Sequence, residues 1–191
     1  ELLRHIMGPW YEADEIDVWG LDTWGSVCTC ERCRALGNGA MIKYPNDIVI
    51  GTKKVCGILT ELSAETDCVN YVVCGIGVNV NTPSFNKELS EKATSLFIES
   101  KKKYPRSKII ADILNEFEPL YKSFLKNGLA SVIDDYKKHC ITLNSAVNVT
   151  YNKTTVQGIC TDIKADGSIE VTSSDGVITV NSGEVSVRGI Y

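Results

Sequence analysis

The chain has 191 residues, 43% of them hydrophobic and 23% charged, a composition that excludes a disordered chain. A net charge of -4 and a pI near 5.3 argue against a nucleic-acid-binding surface, and the one short basic run, Lys101-Lys102-Lys103, reads as a solvated loop. No apolar run reaches the ~18 residues of a membrane span, and Glu1-Leu2-Leu3-Arg4-His5 lacks a signal-peptide core, so the expected location is the cytoplasm.

Residues 1–39 show neither the period of a strand nor that of a helix, and Trp10, Trp19 and Trp24 fall here among Asp, Glu and Gly. A poorly ordered segment is expected. Within it Cys28, Cys30 and Cys33 are one thiolate short of the set that structural zinc prefers. His5 and His139 lie far away in sequence, so no metal site is expected. Cys56, Cys68, Cys74, Cys140 and Cys160 are scattered through apolar stretches and are expected as buried, reduced thiols.

From Met41 the pattern sharpens. Residues 41–44 and 48–50 read as short strands around the turn Pro45-Asn46-Asp47, and Gly51-Thr52-Lys53 reads as a second turn. Residues 55–62 and 71–80, rich in β-branched side chains and joined by a polar link, predict adjacent antiparallel strands. A short helix is predicted from Thr94, and a longer one after Pro105. The longer one has Ile109, Ile110, Ile113, Leu114, Phe117, Leu120, Tyr121 and Phe124 on one face and ends near Gly128. A further helix covers 132–139. Beyond Leu143-Asn144, alternation returns at 146–150, 156–163, 168–172 and 177–180, with turn residues between. With a fourth turn at Ser182-Gly183 the tail divides into five short strands, and this spacing predicts a small β-barrel. The expected organisation is an unmatched segment at 1–39, an α+β sheet unit at 40–143 and a barrel at 144–191.

Five segments carry chemistry. Ile42-Lys43-Tyr44-Pro45-Asn46-Asp47-Ile48 comes first. Lys54-Val55-Cys56-Gly57-Ile58-Leu59-Thr60-Glu61, Gly75-Ile76-Gly77-Val78-Asn79-Val80-Asn81 and Ala93-Thr94-Ser95-Leu96 follow. Ser182-Gly183-Glu184-Val185-Ser186-Val187-Arg188 closes the series. Taken alone, Asn46-Asp47 is a common turn pair, Asn79 a structural hydrogen bonder and Lys54 a surface lysine. Gly75-Ile76-Gly77 lies inside a strand with no helix following, which rejects a dinucleotide fingerprint. In this order, however, the segments resemble the Lys-Trp-Pro-Asn-Asp turn, the Lys-x-x-Gly-Ile-Leu-x-Glu and Gly-x-Gly-x-Asn strands and the C-terminal barrel of biotin–protein ligases.

That resemblance implies an α+β fold of the class II synthetase type, a partial mixed or antiparallel sheet with its N-terminal half missing, and a C-terminal SH3-like β-barrel. It implies a ligase that joins biotin to the α-phosphate of ATP with Mg²⁺ and passes the acyl group to a lysine of a biotin carboxyl carrier protein, a subunit of acetyl-CoA carboxylase. A carboxylate approaching a phosphate needs fixed positive charge, and Lys54 matches the lysine that supplies it. By the same resemblance Asp47 orients the carrier lysine, Gly57 and Ile58 meet biotin, and Lys43, Asn46, Asn79 and Arg188 contact the nucleotide. Tyr44 replaces the usual Trp as an aromatic wall. No metal-ligating residue is expected. Homodimers occur in the family.

The family's Gly-Arg-Gly-Arg loop and Ser-Thr-Asn strand have no counterpart in this sequence. A truncated ligase with an unpaired sheet edge and low stability is therefore expected, without a DNA-binding winged helix. The alternative is an inactive remnant that binds a nucleotide or carrier protein weakly. A lipoate-type acyl transferase is disfavoured by the Lys-Tyr-Pro-Asn-Asp turn together with the barrel.

Overall fold

The computed structural model describes residues 2–7, 18–65, 69–151, 154–181 and 186–189. At 2–7, 18–21, 24, 64, 69, 124–125, 128–129, 151 and 186–189 it describes the backbone alone.

Short β-branched runs punctuated by turn residues build the first sheet. β2 (Met41–Lys43) and β3 (Asp47–Ile50) flank the Pro45-Asn46 turn. Gly51, at φ 60°, takes the left-handed conformation that lets β3 reverse into β4 (Lys53–Ala64). β5 (Val69–Val78) returns antiparallel, as the two β-branched runs predict. The unpaired edge expected of a truncated sheet does not fall at β5. β1 (Leu2–Met7) pairs with it from Leu2↔Gly77 to Met7↔Val72 and takes up its backbone donors and acceptors. The sheet order is β1-β5-β4-β3-β2, and every ladder in it is antiparallel.

Residues 1–39 also hold an element that the sequence pattern did not predict, helix α1 (Val18–Ala35). Its inward residues are small and often polar. Thr23, Ser26, Thr29, Cys28 and Cys30 are fully buried, so no apolar stripe marks the face. Among the described residues the hydroxyls of Ser26 and Thr29 find no hydrogen-bond partner, and a buried hydroxyl left so costs about 1–3 kcal/mol. Alternate residues of β4 and β5, namely Cys56, Ile58, Cys74, Ile76 and Val78, form the buried face of the sheet. Gly25 of α1 lies so close to that face that a Cβ there would stand 3.3 Å from Ile58 Cγ2.

Ser95 caps α2 (Leu96–Ser100), its hydroxyl accepting from the Ile98 N–H at 3.0 Å. α3 (Arg106–Asn127) buries Ile109, Ile113 and Phe117 of the expected stripe. The side chain of Phe124 lies outside the described residues. Arg32 joins α1 to α3 through Asp112 at 2.6 Å. A 3₁₀ turn begins at Gly128, where the helix was expected to end, and α4 (Ile133–His139) follows.

The C-terminal strands are β6 (Ala146–Tyr151), β7 (Thr154–Ile163), β8 (Ile169–Ser173), β9 (Gly176–Val180) and β10 (Ser186–Gly189). They form one antiparallel sheet ordered β10-β6-β7-β8-β9. The expected barrel is not closed among the described residues. Closure requires a ladder between β9 and β10, which stand at opposite ends of this order with no ladder between them among the described residues. Lys137 of α4 pairs with Asp162 of β7 at 2.6 Å and ties this sheet to the rest. No described helix is long and apolar enough to cross a membrane.

The seven described cysteines are free and buried, with Cys68 outside the described residues. Burial pushes the Cys30 and Cys33 thiols up to about 12, which keeps them protonated and unreactive. Among the described residues, no group of three or more His, Cys, Asp or Glu is arranged to hold a metal ion.

Candidate active site

The turn between β2 and β3 and the first residues of β4 build the site. The register sets Lys43 opposite Asp47, and Asp47 opposite Gly57. Lys54 stands three residues before Gly57 and pairs with Asp47, Nζ to Oδ1 at 2.5 Å. Both side chains keep contact with water, at 48% and 29% exposure, so the pair is open to a ligand. Gly57 is required beneath it. A Cβ there would lie 2.6 Å from Lys54 Nζ and 2.7 Å from Cε, so only a residue without a side chain lets the ammonium cross to Asp47.

The Ala93-Thr94-Ser95-Leu96 segment fixes the ends of β4 and β5. The Lys54 N–H donates to Lys92 O at 2.8 Å, and the Thr94 N–H donates to Lys54 O at 2.9 Å. Asn79 Nδ2 donates to Thr94 O at 3.1 Å, and the Asn79 N–H donates to Val55 O at 2.8 Å. One short stretch of chain thus anchors the backbone of Lys54 and the side chain of Asn79, which is the structural role that Asn79 has on sequence grounds alone.

Asn46 is braced from two sides. Its carbonyl accepts from the Ile58 N–H at 3.0 Å, and its Nδ2 donates to Ile58 O at 2.8 Å and to Asp22 Oδ2 at 3.3 Å. Asp22 Oδ1 accepts from the Thr60 hydroxyl at 2.6 Å. Burial raises the Asp22 carboxyl above the usual range, against the pull of its bonds from Thr60 and Asn46. Asp22 belongs to none of the recognised segments, and nothing in the sequence marks it.

Lys43, Asn46, Asp47, Lys54 and Gly57 are therefore brought together by β2, β3 and β4. Ile58 is not. Strand alternation turns its side chain to the opposite face, where it is 4% exposed in the core beneath α1. Tyr44 is no aromatic wall of a cleft either, being 3% exposed. Its N–H donates to the Thr142 hydroxyl at 3.1 Å, and its own hydroxyl donates to Gly167 O at 2.9 Å, because the turn packs against the link between β7 and β8. The side chain of Arg188 lies outside the described residues, as does the Ser182–Val185 part of its motif.

The family model described as biotin protein ligase C terminal domain matches residues 142–188. The bifunctional ligase/repressor BirA of Bacillus subtilis is 32% identical over 155 residues, which is 80% of this chain and 48% of that protein. The biotin–[acetyl-CoA-carboxylase] ligase of Mycobacterium tuberculosis is 28% identical over 145 residues, 75% of this chain and 52% of that protein. The chain thus spans about half the length of the curated relatives it matches. The biotin protein ligase of Aquifex aeolicus in complex with biotin and ATP superposes with a TM-score of 0.86 at 21% identity, covering 99% of this chain and 78% of that one. At that identity the likeness is one of fold. In its central and C-terminal parts the chain belongs to the biotin protein ligase family.

Proposed function

We propose that the chain acts as a biotin–protein ligase. A biotin carboxylate oxygen bonds to the α-phosphorus of ATP and pyrophosphate leaves. The ε-amine of a carrier-protein lysine then attacks the acyl carbon, AMP leaves and the amine loses a proton. The observation that carries this reading is the Lys54–Asp47 pair, 2.5 Å apart over the bare backbone of Gly57. Lys54 supplies the positive charge for the point where two anions must meet, and Asp47 holds its ammonium beside that point until they arrive. Asp47, once Lys54 turns to the carboxylate and the phosphate, is left as an acceptor for the incoming ammonium of the carrier lysine. Asn46, Lys43 and Asn79 lie on the nucleotide side in this reading, and the family resemblance assigns Arg188 to the same nucleotide. The proposed acceptor is a biotin carboxyl carrier protein, a reading supported by the M. tuberculosis relative, whose name specifies acetyl-CoA carboxylase.

The described residues form no resident cage for Mg²⁺. Asp47 is committed to Lys54, and the described residues hold no cluster of three ligating side chains. The cation would arrive on the triphosphate, held largely by phosphate oxygens and water.

The test is biotinyl-adenylate formation by the purified chain with ATP, Mg²⁺ and biotin, with Lys54→Ala as control. Adenylate that disappears in the variant supports the reading. No adenylate at saturating biotin rejects it in favour of the inactive remnant.

A further inference from the structure

Asp22 reaches the site from the buried side of the sheet. Its carboxylate joins three elements, because it sits on α1 and accepts from Thr60 of β4 at 2.6 Å and from Asn46 of the turn at 3.3 Å. The Asn46 nitrogen that it receives also donates to Ile58 O at 2.8 Å. A side-chain amide nitrogen carries two hydrogens, and both are committed here. Turning the amide over would point Oδ1 at two oxygen acceptors, so the amide has one orientation. Oδ1 is then the group that Asn46 offers a ligand, and it can only accept. Asp47, the next residue, carries the carboxylate paired with Lys54.

We infer that Asp22 is a positioning residue for the site. From beneath the sheet it locks the Asn46 amide, so that Asn46 serves as an acceptor for a ligand N–H or O–H, and it holds the following Asp47 in register beside Lys54. The catalytic consequence rests on the ligase reading above, whereas the anchoring itself does not.

Two variants of the full chain separate anchoring from space-filling. Asp22→Leu fills a similar volume without an acceptor. Asp22→Asn keeps both contacts, since its Oδ1 can receive Asn46 while its Nδ2 donates to the Thr60 hydroxyl, which accepts as readily as it donates. The first readout is the pair of Asn46 side-chain amide protons in ¹⁵N-resolved NMR. They should be well separated and slow to exchange in the wild type and in Asp22→Asn, and should converge toward free-amide values in Asp22→Leu. The second readout is the rate of adenylate formation. In Asp22→Leu kcat should fall about tenfold, as displaced catalytic groups do, with KM for biotin and ATP within about twofold. Asp22→Asn should recover most of that loss.

An unchanged Asn46 amide in Asp22→Leu overturns the inference. So does a wild-type kcat in that variant, or an equal loss in Leu and Asn. A wild-type chain that forms no adenylate defeats the ligase reading and the catalytic role with it, while the amide signals still decide whether Asp22 anchors Asn46.

Discussion

Lys54 Nζ lies 2.5 Å from Asp47 Oδ1, and the path between them crosses Gly57, the cross-strand partner of Asp47. The ion pair and the glycine are one device. Gly57→Ala would place a methyl 2.6 Å from the ammonium. The group that must yield is the far end of a flexible side chain, so the fold should tolerate the change, with unfolding free energy altered by less than ~1 kcal/mol. The site should not. Displacing the ammonium by an ångström should slow adenylate formation by ~10–100-fold, read by single-turnover kinetics beside a denaturant titration.

Lys54→Ala separates stability from chemistry. A half-exposed pair contributes at most ~1 kcal/mol to folding, whereas removing a preorganised charge from a transition state costs roughly 10²–10³ in rate. Lys54→Arg should fail to restore the rate, because the planar guanidinium needs more room above Gly57 and spreads its charge. A rate within about threefold of wild type in the Arg variant would show that charge alone is needed, without the point geometry argued here.

Tyr44→Phe probes how the C-terminal sheet is held against the turn. The hydroxyl donates to Gly167 O at 2.9 Å in a buried setting. Its loss should leave that carbonyl without this donor and lower stability by about 1–3 kcal/mol. The ring and the backbone bond to Thr142 remain, so the effect should appear as a lower unfolding midpoint with the Lys54–Asp47 pair intact.

The turn at Pro45 was legible in the sequence because β-branched runs flank residues with turn chemistry, and α3 was legible because Ile109, Ile113 and Phe117 keep a helical period. α1 was hidden because its buried face is built from Thr23, Ser26, Thr29 and cysteines with Val27 among them, too few large apolar residues to show a period. Gly57 could be read as a point of close approach, but not as a channel for Lys54, since the crossing side chain comes from its own strand. Strand alternation alone already sets Ile58 on the face opposite Gly57, a signal that outweighs its place in the motif. Asp22 could not be found from sequence, because its role depends on how α1 docks against β4.

His139 gives the fold a pH response that can be isolated. It is 6% exposed on α4, and burial together with the nearby Arg34 charge lowers its pKa from 6.5, with Glu31 at 3.8 Å opposing the shift. A base whose folded pKa lies below its unfolded value is neutral in the native state while the unfolded chain takes up a proton. Its contribution is therefore fully present above about pH 6.5 and is lost as pH falls through the folded pKa. Asp22, raised by burial, acts in the opposite sense, favouring the folded state as pH falls. The decline is thus best read as the difference between wild type and His139→Gln. Denaturant midpoints measured from pH 7.5 downward should fall more steeply for the wild type than for the variant. Parallel curves would mean that His139 protonates as easily in the folded chain as in the unfolded one, and that its burial between α4 and α1 is relieved before the fold gives way.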